Sequence, residues 1–113
     1  MNKRAVGSEY EALAVAYMEQ QGMRILERNY RCKQGEIDIV AKESQYLLFV
    51  EVKYRKNLSS GHPAEAVTPA KQQRIYQTAR YYLYEHHLSE NTPVRFDVAA
   101  ILGQEIQYIR NAF

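Results

Sequence analysis

Two short runs, GEIDIV at residues 35–40 and LLFVEVK at residues 47–53, combine apolar and charged side chains in the alternation expected of strands. Successive side chains of a strand point to opposite faces of a sheet, so Glu51 and Lys53 are predicted to share one face. Charges beside apolar residues are costly to bury unless they are compensated. The two runs are therefore predicted to be neighbouring strands that bring Asp38, Glu51 and Lys53 to one place.

The alternation of side chains also predicts the two faces of the first run, residues 35–40. Glu36 and Asp38 are predicted to lie on one face of the strand, with Ile37 and Ile39 on the other. A short polar turn follows, which makes the two strands antiparallel neighbours. The face that carries Asp38 is thus predicted to be the face that carries Glu51.

A helix is predicted before this hairpin and another after it. Residues 3–21 have an apolar stripe at helical spacing, and Gly22 is well placed to end the helix. The second helix is predicted to start at Thr68-Pro69, a capping threonine followed by proline, and to end near His87. The buried stripes are predicted to contain Val6, Tyr10, Leu13, Ala14 and Tyr17 in the first helix, and Ile75, Ala79, Tyr82 and Leu83 in the second.

Five strands complete the pattern, and residues 55–67, which contain Asn, Ser, Gly and Pro, are predicted to form a mobile loop. The order α-β-β-β-α-β-β predicts an α/β fold in which a mixed sheet is flanked by helices. A chain of 113 residues has room for one core, so residues 1–113 are predicted to form a single domain. The strands are expected over residues 25–31, 36–42, 46–54, 94–102 and 106–109.

Bulk composition excludes few classes of protein. Fifteen basic and thirteen acidic residues leave a formal net charge of +2, so nucleic-acid binding has to be argued from local clusters. The one cysteine, Cys32, excludes an intramolecular disulfide and fits a reducing compartment. The sequence has no signal-peptide pattern and no apolar run near the ~20 residues of a membrane helix, so a cytoplasmic protein without membrane contact is predicted.

Asp38 and Glu51 are candidate ligands for Mg²⁺, because this ion prefers oxygen ligands and binds through one or two carboxylates while keeping several waters. Lys53 could then orient a water or stabilise negative charge on a phosphate. Hydrolysis of a phosphodiester bond is the chemistry that this set fits. A cross-strand salt bridge is the structural alternative, and a third carboxylate could come from either Glu9 or Glu11 on the first helix.

Basic residues cluster on both sides of the two strands and on the second helix. Such clusters can hold a sugar-phosphate backbone without reading bases, although charged runs are often only solvated surface. The candidate nucleic-acid-binding residues are Arg28, Arg31, Lys33, Arg55, Lys56, Lys71, Gln72 and Tyr76.

Two motifs, GEID at residues 35–38 and FVEVK at residues 49–53, resemble the metal-dependent core of the restriction-endonuclease-like, or PD-(D/E)XK, nuclease superfamily. Over residues 7–113 the chain is also similar to the YraN family of small bacterial proteins. RNYR at residues 28–31 and RFD at residues 95–97 contribute to that similarity. Each motif is short, and their order and spacing together carry the resemblance.

The resemblance implies a restriction-endonuclease-like three-layer core with a catalytic metal site. Asp38 and Glu51 would bind the metal together with the Val52 carbonyl, and Lys53 would be the catalytic lysine. Holliday-junction resolvases of this superfamily carry a glutamate on the first helix, which the YraN pattern matches to Glu11.

The stretch from Gln72 to Tyr76 is similar to the Gln-x-x-x-Tyr element of RecB-like nucleases. The implied function is a Mg²⁺- or Mn²⁺-dependent endonuclease acting on DNA, in particular branched or damaged DNA, and analogy with resolvases implies a homodimer. Two alternatives stay open. One is a nucleic-acid-binding module that keeps the fold without useful catalysis, and the other is a structural or interaction protein whose acidic motif forms an ion-pair lattice.

Overall fold

The computed structural model describes residues 3–113, with the side chains of residues 7–59 and 61–113. Val6, predicted in the apolar stripe of the first helix, lies outside the described side chains. The predicted order of helices and strands is confirmed. The elements are α1 (Lys3–Gln20), β1 (Arg24–Cys32), β2 (Gly35–Glu43), β3 (Tyr46–Arg55), α2 (Pro69–Glu85), β4 (Val94–Leu102) and β5 (Glu105–Ile109).

The five strands form one sheet in the order β1-β2-β3-β4-β5. β3 and β4 run parallel, from the pair Leu47 and Val94 to the pair Arg55 and Leu102, and the other neighbours are antiparallel. A parallel pair needs a crossover connection, and α2 supplies it between the end of β3 and the start of β4. The sheet is therefore mixed, as predicted.

The two helices cover opposite faces of this sheet. Ala14 and Met18 of α1 pack in one core with sheet residues that include Leu48. Ile75 and Ala79 of α2 pack in a second core with Phe49 and its neighbours. Leu48 and Phe49 are adjacent in β3, so the alternation of one strand supplies both cores.

The buried stripe of α1 agrees with the prediction at Ala14 and differs from it at the other described positions. Ala14 and Met18 are fully buried, whereas Leu13 is 40 % exposed and Tyr10 and Tyr17 are half-buried. Adjacent residues of a helix are separated by about 100° around its axis, so with Ala14 and Met18 facing the sheet Leu13 points to one side. The buried stripe of α2 is confirmed for Ile75, Ala79 and Tyr82, with Leu83 half-buried at its margin.

The segment predicted as a mobile loop contains two short 3-10 helices, Leu58–Ser60 and Pro63–Ala66. The side chains of Asn57 and His62 cap them, and Pro63 is buried. The segment therefore has more regular structure than its composition indicates. Neither α1 nor α2, over the residues that the structure describes, is long and apolar enough to cross a membrane.

Candidate metal and nucleic-acid site

The ladder between β2 and β3 stops before the strands end. Paired residues run from the hairpin turn as far as Ile39 and Val50. Beyond that pair, Oδ2 of Asp38 accepts a hydrogen bond of 2.8 Å from the backbone N–H of Val52. Because a carboxylate takes the place of a backbone carbonyl as the partner of β3, the Asp38 side chain is fixed between the two strands.

The alternation of β2 changes at the same point. Ile37 packs in the core beneath α2, whereas Ile39 packs in the core beneath α1. The prediction that these isoleucines share a face is therefore wrong. The regular pleat is lost where the β2–β3 ladder ends, and strict alternation holds only within a regular strand. As a result, Asp38 lines one cavity towards α2 and another towards α1.

β3 keeps the predicted alternation through this region. Val50 and Val52 pack towards α1, while Glu51 and Lys53 line the cavity beneath α2, which has a volume of about 330 Å³. Glu51 is 5 % exposed, and its Oε2 lies 4.0 Å from Nζ of Lys53. Lys71 enters the same cavity from α2. We call this space, with Asp38, Glu51, Lys53 and Lys71, the metal cavity.

Burial makes both carboxylates of the metal cavity more basic. Burial raises the pKa of Glu51 to about 8; the charge of Asp38 adds to the shift, while Lys53 and Lys71 oppose it. Burial also raises the pKa of Asp38, against the hydrogen bond from Val52. The close approach of Lys53, followed by burial, lowers the pKa of Lys71. The two ammonium groups therefore compensate the two carboxylates only in part.

Glu11 lies on the other side of Asp38. Both residues line a cavity of about 400 Å³ between α1 and β2. Oε1 of Glu11 is buried and has no hydrogen-bond partner among the described residues. Burial, followed by the charge of Asp38, raises the pKa of Glu11. Glu9 is exposed. Of the two helix carboxylates, only Glu11 shares a cavity with Asp38.

The oxygen atoms around Asp38 fit a hard divalent cation. No three His, Cys, Asp or Glu side chains within the described ranges are grouped closely enough to hold an ion by themselves. Asp38 and Glu51 would therefore need other oxygen ligands, which Mg²⁺ commonly takes from backbone carbonyls and water. A strand residue directs its N–H and C=O to the same side, so the Val52 carbonyl faces the Asp38 side of β3. The unpartnered oxygen of Glu11 is a further donor nearby.

Half of the predicted nucleic-acid-binding residues lie on the open surface. Arg28, Lys33 and Lys56 are exposed. Arg31 is also exposed, but its Nε pairs with Oε2 of Glu36 at 3.0 Å. Arg31 and Glu36 both border the cavity that contains Glu11. Three of these four cationic side chains are therefore available to contact a phosphate, whereas Arg31 forms a surface ion pair with Glu36.

Of the four remaining candidates, only Lys71 lines the metal cavity. Gln72 donates from Nε2 to the Val67 carbonyl at 3.2 Å. Tyr76 packs against Phe96, with ring centroids 4.8 Å apart. Both side chains thus have partners next to them, and their role in binding nucleic acid stays a prediction. Arg55 is half-buried and donates to the Tyr54 carbonyl at 3.3 Å; Lys71 lies in the metal cavity.

Arg74 lines the metal cavity but is absent from the predicted binding set. The signal was present in the sequence, because Arg74 lies three residues after Lys71 and residues at that spacing are neighbours on a helix. Thr78 holds this turn of α2 in place by donating from Oγ1 to the Arg74 carbonyl at 2.7 Å.

Comparison with known proteins identifies the family. Residues 10–101 match the family described as "Uncharacterised protein family UPF0102". This chain belongs to the UPF0102 family. A UPF0102 protein of Lachnoclostridium phytofermentans is 56 % identical over 113 residues, which make up 100 % of this chain and 96 % of that protein. The predicted membership of the YraN family is confirmed, since UPF0102 is the same family.

The similarity to other UPF0102 proteins extends over the whole chain. One from Clostridioides difficile is 45 % identical over 115 residues, covering 100 % of both proteins. One from Vibrio vulnificus is 47 % identical over 114 residues, which cover 98 % of this chain and 93 % of that protein. The shared family name describes no activity, so a function for this UPF0102 protein has to be argued from its residues.

A second buried carboxylate in this UPF0102 protein lies where β4 and β5 meet. Asp97 is 0 % exposed, and three residues donate hydrogen bonds to its carboxylate. Arg95 donates from Nε to Oδ1 and from Nη2 to Oδ2, both at 2.9 Å. Tyr108 donates its hydroxyl to Oδ2 at 2.6 Å, and the backbone N–H of Asn111 donates to Oδ1 at 2.9 Å. The charge of Asp97 is therefore fully compensated.

This second cluster continues to the surface through Glu43. Nη2 of Arg95 lies 2.8 Å from Oε1 of Glu43, and Nη2 of Arg110 lies 3.3 Å from Oε2. Hydrogen bonds from Arg110 and Arg95 lower the pKa of Glu43. We call Asp97, Arg95, Tyr108, Glu43 and Arg110 the β4–β5 network. The sequence signalled only its RFD core, because its other members come from β2 and from the region around β5.

Proposed function

We propose that this protein is a Mg²⁺-dependent endonuclease that hydrolyses phosphodiester bonds in DNA. The observation that carries the proposal is the pair Asp38 and Glu51 in one cavity, both with raised pKa values and only partly compensated by Lys53 and Lys71. Two buried carboxylates that repel each other are unfavourable unless something positive joins them. A divalent cation supplies that charge, and the similarity to PD-(D/E)XK nucleases supports the same assignment.

Asp38, Glu51 and the Val52 carbonyl would hold the cation, with Glu11 beside Asp38 as a further oxygen donor. The bound ion would supply an activated water and neutralise charge on the scissile phosphate. Lys53, on the same face as Glu51, would orient the attacking water or stabilise the negative charge that develops on the phosphate. Lys71 would hold a phosphate oxygen from the side of α2.

The exposed basic residues support DNA as the substrate. Arg28, Lys33 and Lys56 can bind phosphates without sequence preference, which suits recognition of a DNA shape rather than a sequence. Branched or damaged DNA is the substrate class that resemblance to resolvases supports. A homodimer, which such substrates would need for two cuts, belongs to the same analogy.

The decisive experiment is a Mn²⁺ titration combined with a panel of labelled duplex, single-stranded, flapped and four-way-junction DNA. We expect the wild-type protein to bind Mn²⁺ and to cut at least one branched form. Asp38→Asn should abolish Mn²⁺ binding and reduce cleavage by at least about 100-fold, comparable with removal of one transition-state contact. Its free energy of unfolding should not fall, because one of two repelling carboxylates loses its charge.

A matched pair of helix variants tests the third oxygen donor. Glu11→Gln should weaken Mn²⁺ binding, whereas Glu9→Gln removes the same charge from an exposed position and should leave Mn²⁺ binding unchanged. Wild-type protein that binds no Mn²⁺ would refute the metal site. Strong destabilisation by Asp38→Ala, without any effect on metal or DNA, would support the structural alternative.

A nucleic-acid-binding module without catalysis is the second candidate function. The observation that favours it is that Arg28, Lys33 and Lys56 are exposed independently of the metal cavity. In that case DNA affinity should fall steeply with salt and persist in Glu51→Gln, with no cleavage of any DNA in the panel.

A further inference from the structure

α2 continues beyond the metal cavity with a row of polar and aromatic side chains. Arg74 lines the metal cavity. Gln77, Tyr81 and Tyr84 follow it at spacings of three and four residues, so they share one side of the helix. We call Arg74, Gln77, Tyr81 and Tyr84 the α2 flank. It connects the metal cavity with the opposite end of the helix.

Two cavities meet at that opposite end. One has a volume of about 470 Å³ and is bordered by Gln34, Gln77 and Tyr81. The other has a volume of about 570 Å³ and is bordered by two leucines and a histidine near the end of α2. Both are also lined by Arg80, Tyr84 and Glu90. A volume of this size accommodates a planar group as large as a nucleobase.

The turn between β1 and β2 joins these cavities to the metal cavity. Gln34 lines the cavity of about 470 Å³, and the next residue, Gly35, lines the metal cavity. A Cβ added to Gly35 would lie 3.0 Å from Oγ1 of Thr78, so the turn backbone rests directly against α2. The turn and α2 therefore form one continuous wall from the metal cavity to Tyr84.

Tyr84 offers an aromatic face that the fold does not use. It is 75 % exposed, whereas Tyr81, whose ring centroid lies 5.9 Å away, is half-buried. Arg80 lines the same two cavities as Tyr84 and forms no ion pair among the described residues, so its guanidinium is available there. An exposed aromatic ring next to a free cation is the combination that binds single-stranded nucleic acid by stacking and charge.

We propose that the α2 flank guides an unpaired segment of a DNA strand away from the metal cavity, with one base stacked on Tyr84 and a phosphate beside Arg80. The inference rests on the proposed function and makes DNA with a single-stranded segment its substrate class. Bases of an intact duplex are already stacked on their neighbours and cannot stack on Tyr84. Glu90, which lines both cavities, would then accept hydrogen bonds from amino groups of the base.

Helix geometry sets the length of this unpaired segment. Tyr84 lies ten residues beyond Arg74, which is about 15 Å along the axis of α2. A strand in B-form geometry advances about 3.4 Å per nucleotide. An unpaired strand can be more extended than a B-form strand, so the base on Tyr84 is at most about four nucleotides from the phosphate in the metal cavity.

Fluorescence anisotropy with flapped DNA in EDTA tests the inference without cleavage. The series contains a duplex without a flap and flaps of about two, four and eight nucleotides. We expect the wild-type affinity to increase once the flap reaches about four nucleotides. Tyr84→Ala should bind the longer flaps at least about fivefold more weakly, whereas Tyr84→Phe keeps the aromatic face and should bind like the wild type.

Two arginine variants test the phosphate contact. Arg80→Gln should lower the salt slope of binding by about 0.7, the value for one phosphate contact on a single strand. Arg24→Gln is the matched control, because Arg24 is exposed at the start of β1, where it pairs with Lys42 at the far end of β2 from Gly35. It should leave the salt slope unchanged.

Equal binding of all flap lengths by wild type and Tyr84→Ala would overturn the inference. So would a loss of affinity in Tyr84→Ala that is the same for the duplex without a flap. If the same proteins bind Mn²⁺ and cleave DNA in separate assays without EDTA, only the strand path fails. If the wild-type protein binds no Mn²⁺, the proposed function fails, and the strand path fails with it.

Discussion

Asp38 and Asp97 are both aspartates in strands of the same sheet, and their surroundings differ. Asp97 receives donors from Arg95, Tyr108 and Asn111 and has no exposed surface. Asp38 accepts one backbone hydrogen bond, lies beside Glu51, and has a raised pKa because of burial. A fully satisfied carboxylate contributes to stability, whereas a poorly compensated one close to a second carboxylate is a candidate for chemistry.

The identical substitution at both sites separates these two roles most strongly. Asp97→Asn should lower the free energy of unfolding by about 3–5 kcal/mol, because Arg95 keeps its charge in a largely buried position and loses its main partner. Asp38→Asn should leave the free energy of unfolding unchanged or raise it. Urea unfolding followed by circular dichroism measures both. Equal destabilisation by the two variants would mean that Asp38 is structural as well.

The pH dependence of stability gives the next largest effect. Without metal, native Glu51 keeps its proton up to about pH 8, whereas the unfolded chain releases it near the ordinary pKa of 4.5. The native state therefore binds more protons between these values, and the free energy of unfolding should fall as pH rises, by up to about 1.4 kcal/mol per pH unit. Urea unfolding in EDTA at a series of pH values measures this slope.

Glu51→Gln is the control for that slope and should flatten it. Adding Mn²⁺ should oppose the slope in the wild-type protein, because metal binding requires the deprotonated carboxylates and therefore strengthens as pH rises. A wild-type slope that survives in Glu51→Gln would assign the titration to another group.

The smallest expected effect lies at the surface of the β4–β5 network. Arg110 is 44 % exposed at its side chain and contacts Glu43 at 3.3 Å. Arg110→Gln should lower the free energy of unfolding by no more than about 1 kcal/mol, because solvent screens an exposed ion pair. The same urea assay measures the change. If Arg110→Gln lowered the free energy of unfolding as much as Asp97→Asn does, the whole network, and not only its buried centre, would determine stability.

Local pattern was sufficient to predict the elements of this fold. The α2 stripe, the Thr68 cap and the alternation of β3 each depend on spacing along the chain, and the structure confirms all three. The face of α1 was misjudged because its sequence has several apolar residues around the helix. Only contact with the sheet selects Ala14 and Met18 over Leu13.

The sequence indicated the central residues of the candidate site more clearly than the residues at its margin. Glu51 and Lys53 were predicted from the regular alternation of β3, and Asp38 from the short GEID motif, although the alternation of β2 changes beside it. Gln72 and Tyr76 lie on the correct helix but are engaged by Val67 and Phe96, and the sequence contains no sign of those partners.

The sequence by itself determined the order of elements, the family and the motif residues, because each of these depends on residues close together in the chain. The tertiary structure decided that Asp38 borders two cavities and that Glu11, rather than Glu9, shares one of them with Asp38. It also decided that hydrogen-bond donors fully compensate the charge of Asp97. These outcomes depend on where a ladder ends and on which distant side chains meet. Burial and charge compensation are set by three-dimensional neighbours, so spacing along the chain does not specify them.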